Sequence, residues 1–431
     1  MLTQLQLTHF KSYRQGTLPL GRLTVLIGAN ASGKSNAIEA LRLLSRLAEG
    51  ERLNLLANPH SNLTFRGDLK TLGYSGINTF QLACSTTQPE WQDFEIQLAV
   101  TEENGLQIIQ EKICSQTSTV PLYQISSAPQ GLGSDVWVSY NNFARGGKKP
   151  TIACSSQMAI FTQLLSPIRF RPENSTSQSV IPDITGQYQR IFQQIFFLEP
   201  EPSAMRSYSH VTEKHLKSHG ENLSGVLYNL CQDTATKQNI LKFIQSLPEQ
   251  QIADLEFLTN VRGEVLLQLT ETFGNQDTGY DAALLSDGTL RVLAIAAVLL
   301  SAPANSLIVI EEIDNGVHPS RAAMLLEHIT DVATQRNLRV LLTSHNPALL
   351  DALPDAAVPD TVFCYRDLQD GSSRLVRLQD LPDYPELIAQ GSIGHLMSRG
   401  LLERFVKQQP SPVQKREKAL AWLASLENLE V

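Results

Sequence analysis

The sequence predicts an α/β protein built around a parallel sheet, and three short apolar runs are the evidence. Residues 23–27, 307–310 and 338–343 are apolar and rich in branched side chains, as strands buried on both faces are. Each run ends in residues that can bind phosphate or a metal ion, and helical spacing follows the first two. Strands that alternate with helices favour a parallel sheet, which binds ligands at the carboxyl ends of its strands.

The first run leads into a glycine-rich loop that fits G-x-x-x-x-G-K-[ST], the pattern of phosphate-binding loops. The loop and the residue after it are predicted to bind a nucleotide; they are Gly28, Ala29, Asn30, Ala31, Ser32, Gly33, Lys34, Ser35 and Asn36. Lys34 is expected to neutralise the β- and γ-phosphates, and the Ser35 hydroxyl to ligate Mg²⁺. A helix predicted over 36–48 directs its positive end at the same phosphates. A chance match is the alternative, and the flanking strand and helix argue against it.

Length and composition limit the class of protein. The 431 residues allow a large core and predict two lobes or domains. No apolar stretch approaches 18 residues, and the first residues lack the pattern of a signal peptide, so we expect no membrane partner. The five scattered cysteines predict reduced thiols, no structural zinc site and a cytoplasmic protein. The net charge of −8 argues against a globally basic nucleic-acid surface but leaves room for a local basic groove.

Residues 1–27 have a β-rich pattern, and the segment Phe10-Lys11-Ser12-Tyr13 lies between its predicted strands. One interpretation of this segment is a turn with an anchoring aromatic ring. The other is a contact near the base or ribose of the nucleotide, because aromatic and cationic groups suit the faces of bases.

Five further runs, separated by turn residues, predict an antiparallel sheet; they span 79–84, 94–100, 106–114, 122–126 and 136–140. The loop that follows, 141–150, is basic and rich in glycine. Its Arg145, Lys148 and Lys149 could contact nucleic-acid phosphates, although such a run is more often a solvated loop.

Helical spacing dominates the next region and predicts four helices, at 157–165, 187–197, 223–230 and 239–247, with a Pro/Ser-rich interruption at 171–186. Strand-like alternation returns at 255–269. Because this region lies between the phosphate loop and the other site motifs, we expect an insertion lobe that makes the contacts specific to this protein.

A second anion site is predicted where the sequence LLSDGTLR meets a helical run. Ser286, Asp287, Gly288 and Thr289 stand at the start of that helix, and a helix N-terminus with Ser and Gly can bind an anion. An ordinary N-cap is the alternative, because Ser and Asp are standard capping residues.

Two carboxylates end the run LIVIEE, and a histidine follows the next run. Glu311 is expected to hold Mg²⁺ or its water shell, and Glu312 to orient and polarise an attacking water. Adjacent residues of a strand point to opposite faces, which allows these two roles. His345 is expected to hydrogen-bond a γ-phosphate or the attacking water, although a lone histidine is more often structural.

The order of these motifs resembles that of the ATP-binding-cassette class of ATPases. More narrowly, the chain resembles the soluble bacterial AAA-family ATPases related to the RecF, SMC and OLD proteins. The resemblance is carried by FKSY, GANASGKSN, LLSDGTLR, IEEIDNGVHP and TSHNPALLD, and it covers residues 1–48 and about 280–365. It implies an ABC-type P-loop ATPase head with an antiparallel β subdomain and a helical insertion lobe.

The expected regions are a P-loop ATPase core at 1–50 and 280–370, an antiparallel β lobe at 51–154, a mainly helical insertion lobe at 155–279 and a C-terminal helical tail at 371–431. After residue 365 there is no D-x-D pair with an upstream Glu, which argues against the fused nuclease domain of the OLD proteins. The chain also lacks room for long coiled-coil arms.

The resemblance also implies a head-to-head dimer, or a higher assembly, with two ATP molecules sandwiched between subunits. Each site would combine the phosphate loop, Glu311, Glu312 and His345 of one copy with 286–289 of the other. The segment around Asp314 would reach across the dimer.

This sequence departs from the family pattern at two positions. Glu311 stands where many relatives have Asp, and Asp287 stands where the signature usually has Gly. The first change leaves the metal geometry open, and the second puts a negative charge near the partner's phosphates. The usual metal-binding glutamine has two weak candidates, Gln157 and Gln163.

The function that this resemblance suggests is an ATP-driven switch with ATP and Mg²⁺ as cofactors. ATP binding would close the dimer and hydrolysis would reopen it, and a separate effector such as a nuclease would respond, in DNA-related work or anti-phage defence. DNA is a further candidate partner. The alternatives are an ABC transporter subunit and a scaffold that binds nucleotide without hydrolysis. The long insertion and the LSDGT form argue against the first, and Glu312 and His345 against the second.

Overall fold

The structure is a computed structural model and describes residues 1–56, 67, 69–101, 105–127, 129, 135–245, 251–273, 276–314, 322–381 and 383–407. Its strands are β1 (Leu2–Phe10), β2 (Tyr13–Pro19), β3 (Leu23–Ile27), β4 (Thr79–Thr86), β5 (Asp93–Val100), β6 (Leu106–Cys114), β7 (Tyr123–Ile125), β8 (Asp135–Tyr140), β9 (Thr151–Ser155), β10 (Ile195–Leu198), β11 (Ser209–His210), β12 (Ile252–Thr259), β13 (Glu264–Phe273), β14 (Gln276–Asp281), β15 (Leu307–Ile310), β16 (Arg339–Ser344), β17 (Val362–Arg366) and β18 (Ser373–Arg377). Its α-helices are α1 (Lys34–Leu47), α2 (Leu53–Leu56), α3 (Ile160–Gln163), α4 (Ser175–Gln193), α5 (Pro202–Met205), α6 (Leu223–Leu230), α7 (Thr234–Gln245), α8 (Asp287–Ser301), α9 (Ala322–Gln335), α10 (Pro347–Asp351), α11 (Tyr384–Ala389), α12 (Ile393–Ser398) and α13 (Leu401–Lys407).

The core sheet has the strand order β10-β15-β16-β3-β17-β18, and all its pairs are parallel except β17 with β18. The three runs predicted as buried parallel strands are confirmed, and they lie side by side as β15, β16 and β3. Ile310 is in register with Leu342, and Leu342 with Val25. The residues that follow these strands therefore meet at one edge of the sheet.

A second sheet is antiparallel throughout, in the order β2-β1-β4-β5-β6-β7-β8-β9. The five strands predicted between residues 79 and 140 are confirmed as β4 to β8. In β4 and β5 buried positions alternate strictly with part-exposed ones, so one face packs on a core and the other faces solvent. The N-terminal strands β1 and β2 complete this sheet at one edge.

Apolar side chains cover both faces of the core sheet. On one face, Leu26, Val309 and Leu341 pack with α1, α4 and the antiparallel sheet in a single cluster. On the other face, Ile308 and Leu342 pack with α8 and α9 in a second cluster. Neighbouring residues of one strand thus pack into opposite cores. The helices and the antiparallel sheet that cover the two faces hold in place the sheet edge at which β3, β15 and β16 end.

In a third sheet, β13 pairs with β12, with β14 and with the short β11. Strands β12 to β14 lie in the chain between α7 and α8, whereas β11 lies between α5 and α6. The range 155–279, expected to be mainly helical, therefore holds strands β10 to β14 beside helices α3 to α7. One of these strands, β10, pairs with β15 and forms an edge of the core sheet.

Two helix predictions in that range are wrong in extent. The helix predicted over 187–197 ends at Gln193, and β10 follows it. The apolar residues of β10 continue the helical spacing, so periodicity alone could not separate strand from helix. The helix predicted over 157–165 is reduced to α3, because the Gln157 side chain is held by the Leu106 carbonyl of β6.

The interruption expected at 171–186 is also wrong, because α4 runs through it with Pro182 inside the helix. Proline destabilises a helix interior by about 3 kcal/mol. Ile181 and Tyr188 on the apolar face of α4 are completely buried, and each such side chain contributes about 1.5–3 kcal/mol. Tertiary burial therefore outweighs the local preference.

The predicted helical tail begins with a strand, since β18 pairs with β17 before α11, α12 and α13 follow. The helix expected from residue 401 is present as α13 up to Lys407, and the rest of that prediction lies outside the described residues. No helix in the described part of the chain has both the length and the apolar character that a membrane span needs.

Candidate functional site

The phosphate loop connects β3 to α1, and two of its positions require glycine. Gly28 and Gly33 have φ angles of 149° and 121°, which side chains rarely tolerate. A Cβ atom at Gly28 would lie 2.1 Å from the Cys364 carbonyl oxygen, and one at Gly33 would lie 2.3 Å from the Ser373 hydroxyl oxygen. The loop is therefore pressed against β17 and β18, which fix it at the end of its own strand.

Lys34 begins α1 and folds back over the loop. Its ammonium group donates hydrogen bonds to the carbonyl oxygens of Gly28, at 2.6 Å, and Ala29, at 3.1 Å. Burial lowers the pKa of Lys34, and nearby groups, among them the Glu312 carboxylate, oppose that shift. Phosphate oxygens in the loop would favour the charged ammonium group further.

The two carboxylates lie where β15 ends, and their backbones are anchored to neighbouring strands. The Glu311 N–H donates to the Leu198 carbonyl at 3.0 Å, and the Glu312 N–H donates to the Thr343 hydroxyl at 2.9 Å. Glu312 has a φ of 51°, a left-handed conformation that costs a non-glycine residue on the order of 1 kcal/mol or more. Backbone strain of this kind is concentrated at functional positions.

An arginine of α1 joins acidic residues that follow two neighbouring strands. Arg42 Nη2 lies 2.9 Å from Glu311 Oε1 and 3.8 Å from Glu199 Oε2. Its guanidinium group also lies 4.5 Å above the Phe197 ring centroid. Sequence reasoning missed Arg42 and Glu199. Glu199 follows β10 as Glu311 follows β15, so reading 195–199 as an apolar strand that ends in an acid would have found it.

His345 follows β16 and lies against Asp314. The distance between His345 Nδ1 and Asp314 Oδ2 is 3.5 Å, and the imidazole is 51% exposed whereas the Asp314 side chain is only 5% exposed. Among the described residues, no hydrogen-bond partner reaches Asp314 Oδ1. The segment that the resemblance places across a dimer thus has its aspartate buried beside the histidine of the same chain.

These side chains line one cavity of about 510 Å³ at the carboxyl edge of the core sheet, a size typical of nucleotide and cofactor sites. The predicted residues that line it are Asn30, Ala31, Ser32, Gly33, Lys34, Ser35, Asn36, Glu311, Glu312 and His345. Glu199 and Arg366 line it too, although neither was predicted. Gly28 and Ala29 shape the loop but do not line this cavity.

A second cavity, of about 470 Å³, shares Asn36 and Arg366 with the first. Lys11 and Ser12 line this second cavity. The aromatic part of the predicted base contact is wrong, because the side chains of Phe10 and Tyr13 are completely buried. Those two rings anchor the turn, and only the polar residues between them face the space beside the phosphate loop.

The second predicted anion site lies at the start of α8. Its residues, Ser286, Asp287, Gly288 and Thr289, do not line the cavity formed by their own chain. The Ser286 hydroxyl accepts a hydrogen bond from the Thr289 N–H at 3.1 Å, so the ordinary N-cap is present. Asp287 is 65% exposed and pairs at 2.5 Å with Arg206, a contact that sequence reasoning missed.

Neither glutamine candidate lines the cavity. The Gln163 amide bonds to the backbone of Ser155, and the Gln157 amide donates to the Leu106 carbonyl at 2.9 Å. Both glutamines hold the turn between β9 and α3. The edge strand that pairs with β15 is β10, and Glu199, not a glutamine, directly follows β10.

The basic loop at 141–150 folds back on itself. Lys149 Nζ donates to the Asn142 side-chain oxygen at 2.9 Å and to the Ala144 carbonyl at 3.0 Å. Arg145 and Lys148 are exposed. These contacts fit the solvated-loop interpretation.

The donor set of the cavity fits Mg²⁺ held with nucleotide phosphates. Mg²⁺ prefers hard oxygen ligands, and Ser35 and Glu311 supply a hydroxyl and a carboxylate. Bare glycines let the backbone approach a phosphate closely, and α1 starts at Lys34 with its N-terminal end at the cavity.

The fold and the cavity together define the class of this protein as one with an AAA/ABC-type P-loop ATPase-like fold. The chain belongs to the family described as "AAA domain, putative AbiEii toxin, Type IV TA system", whose profile matches residues 23–79 and 182–351, just over half of the chain. No curated protein matches the sequence.

Three solved structures are similar over most of the chain but too distant to add to that assignment. The SmcHead bound to the C-winged helix domain of ScpA has 16% identity over 87% of this chain and 96% of that one, with a TM-score of 0.45. The SMC head domain from Thermotoga maritima has 12% identity over 87% and 98%, with a TM-score of 0.39. The Smc head domain with an extended coiled coil bound to the C-terminal domain of ScpA, derived from Pyrococcus furiosus, has 12% identity over 90% and 99%, with a TM-score of 0.43.

Proposed function

We propose that the protein binds ATP with Mg²⁺ in the cavity at the carboxyl edge of the core sheet and hydrolyses the γ-phosphate. The observation that carries this proposal is that Lys34, Ser35, Glu311, Glu312 and His345, from three neighbouring strand ends, line one cavity. Each is the residue type that phosphoryl transfer to water needs.

Each side chain has a distinct role in this proposal. Lys34 leaves the loop carbonyls and binds the outer phosphates. Ser35 and Glu311 hold Mg²⁺, which when bound neutralises charge on the β- and γ-phosphates. Glu312 accepts a hydrogen bond from the attacking water and orients it, and His345, held by Asp314, donates to the γ-phosphate or the water.

The proposal includes a dimer that closes around ATP. The residues 286–289 belong to the anion site expected from the resemblance, yet they do not line the cavity of their own chain. A second copy would bring them to the γ-phosphate, so binding of ATP would close the dimer and loss of the γ-phosphate would open it.

The dimer would act on a separate effector, such as a nuclease, in DNA-related work or anti-phage defence in the cytoplasm. The family description names a toxin of a toxin–antitoxin system. This description supports a partner protein, and DNA stays a candidate for the trigger.

Phosphate release from ATP, measured with and without DNA, tests the proposal. The wild-type protein is expected to release phosphate and to require Mg²⁺, whereas Lys34→Ala is expected to lose nucleotide binding and turnover together. A wild-type protein that binds ATP tightly but releases no phosphate in any of these conditions would support a nucleotide-binding scaffold instead.

A further inference from the structure

The turn that opens α8 is held by an arginine from a distant part of the chain. Arg206 Nη1 donates to the carbonyl oxygens of Leu285 at 2.7 Å, Ala283 at 3.1 Å and Ala282 at 3.2 Å. Its Nη2 donates to Asp287 Oδ1 at 2.5 Å. One guanidinium group thus binds the backbone before the turn and the carboxylate inside it, which is the forked geometry that arginine offers and lysine does not.

The backbone segment that carries Arg206 is itself held in place. It directly follows α5 and lies seven residues after Glu199, which lines the ATP cavity. The segment between them is tied down by backbone bonds from Glu199 to Ser218 at 2.9 Å and from Glu201 to His219 at 3.1 Å. The guanidinium group is therefore presented from a fixed segment.

The contact with Asp287 has an electrostatic consequence. A carboxylate at a helix N-terminus is favourable alone, but beside the phosphates of a nucleotide it opposes binding by like-charge repulsion. The Asp287 side chain is 65% exposed, so it faces outward where a second molecule would approach. Arg206, at 28% exposure, is the cation that cancels this charge.

We propose that Arg206 is the positioning residue of the second half of the composite ATP site. It fixes the Ser286–Thr289 turn and neutralises Asp287, so that the turn can receive the γ-phosphate of ATP held by a second copy of the chain. This inference rests on the proposed dimer, and it explains how a signature with aspartate in place of glycine can still face a phosphate.

The experiment measures the dissociation constant of the ATP-bound dimer by sedimentation velocity in a Glu312→Gln parent, which we expect to retain ATP. Arg206→Ala, Arg206→Lys, Asp287→Ala and the Arg206→Ala/Asp287→Ala pair are compared in that parent. Binding of a fluorescent ATP analogue to the dilute monomer is measured beside it. Arg46→Ala is the matched control, because Arg46 also pairs with two carboxylates but lies roughly 18 Å from Lys34 along α1.

Arg206→Ala is expected to weaken the dimer about tenfold, while monomer affinity for the nucleotide stays close to the parent. Removing Asp287 as well is expected to restore the dimer to within about threefold of the parent, because the uncancelled charge is gone. Arg206→Lys keeps the charge but not the forked geometry, so its dimer affinity is expected to fall between those of the parent and Arg206→Ala, and Arg46→Ala is expected to match the parent.

Three results would overturn the inference, and they are distinguishable. If the parent dimerises with ATP and Arg206→Ala dimerises equally well, Arg206 has no positioning role. If the double variant is as weak as Arg206→Ala, the arginine is only a clamp on the backbone and the charge argument is wrong. If the parent itself stays monomeric with ATP, the proposed dimer fails and this inference fails with it.

Discussion

The Tyr13 hydroxyl lies 3.0 Å from the carbonyl oxygen of Gly33 and donates a hydrogen bond to it. The Tyr13 ring is completely buried, and burial raises the pKa of Tyr13 well above its ordinary value, so the hydroxyl stays a donor. Gly33 is the last residue of the phosphate loop before α1. The antiparallel sheet, through β2, therefore braces the loop that we assign to ATP.

Tyr13→Phe tests this brace. Removing the hydroxyl leaves the Gly33 carbonyl with only the Ala37 N–H as a donor, at 3.2 Å, so we expect a loss of about 1 kcal/mol in the free energy of unfolding. Because the loop is less firmly held, we also expect ATP affinity to fall about threefold to tenfold. Chemical denaturation and calorimetric titration measure the two effects.

Tyr188→Phe is the matched control for that prediction. Tyr188 is also completely buried, and its hydroxyl donates to the Trp91 carbonyl at 2.7 Å, away from the phosphate loop. It should lose similar stability with unchanged ATP affinity. Equal effects of the two variants on ATP affinity would contradict a specific brace.

Glu311→Gln tests the metal assignment. The substitution keeps the shape of the side chain but removes the charge, so the Mg²⁺ concentration needed for half-maximal binding of a non-hydrolysable ATP analogue should rise about tenfold. Glu199→Gln, which removes the other carboxylate beside Arg42, is the control and should shift the requirement by less than about threefold. An unchanged Mg²⁺ requirement in Glu311→Gln would remove Glu311 from the metal site.

Glu111 gives a prediction about pH. Its carboxyl group is completely buried and accepts hydrogen bonds from the Tyr123 hydroxyl at 2.6 Å and from the backbone N–H groups of Ile160 and Phe161, each at 2.8 Å. Burial raises the pKa of Glu111 from 4.5 to about 7, although these hydrogen bonds act in the opposite direction. The folded protein thus holds a proton here at a pH where the unfolded chain has lost it.

The stabilising effect of that proton is complete below about pH 4.5 and is lost as the pH rises to about 7. Between pH 5 and pH 8 the wild type should lose about 2 to 3 kcal/mol of stability from this group. Glu111→Gln resembles the protonated form and cannot ionise, so it should lack this loss. Urea denaturation of both proteins at the two pH values measures the difference, and parallel pH dependences would contradict the assignment.

The sequence was sufficient for the parts of the site that are local in the chain. The phosphate loop, the two acids after β15 and the histidine after β16 each follow a short buried strand, so a pattern of a few residues identifies them. The same pattern failed at β10, where Ile195–Leu198 continue the spacing of the preceding helix, and with that strand Glu199 was missed.

The missed arginines belong to contacts between distant residues. Arg42 and Glu311 are 269 residues apart, and Arg206 and Asp287 are 81 apart. An isolated arginine on a helix or after one has no local pattern, and its partner is set by how the sheets and helices pack. For the same reason, burial of the FKSY aromatics could not be separated from a base contact before the fold was known.

The central claim is that ATP joins two copies of this chain, and Glu312→Gln tests it most directly. The variant should bind ATP with Mg²⁺ but turn it over at least about a hundredfold more slowly, because no carboxylate orients the water. Light scattering after size exclusion should then give twice the single-chain mass with ATP and the single-chain mass without it. Lys34→Ala in the same variant should abolish the doubling. A mass that stays at one chain in saturating ATP, or turnover near that of the wild type, would contradict the account.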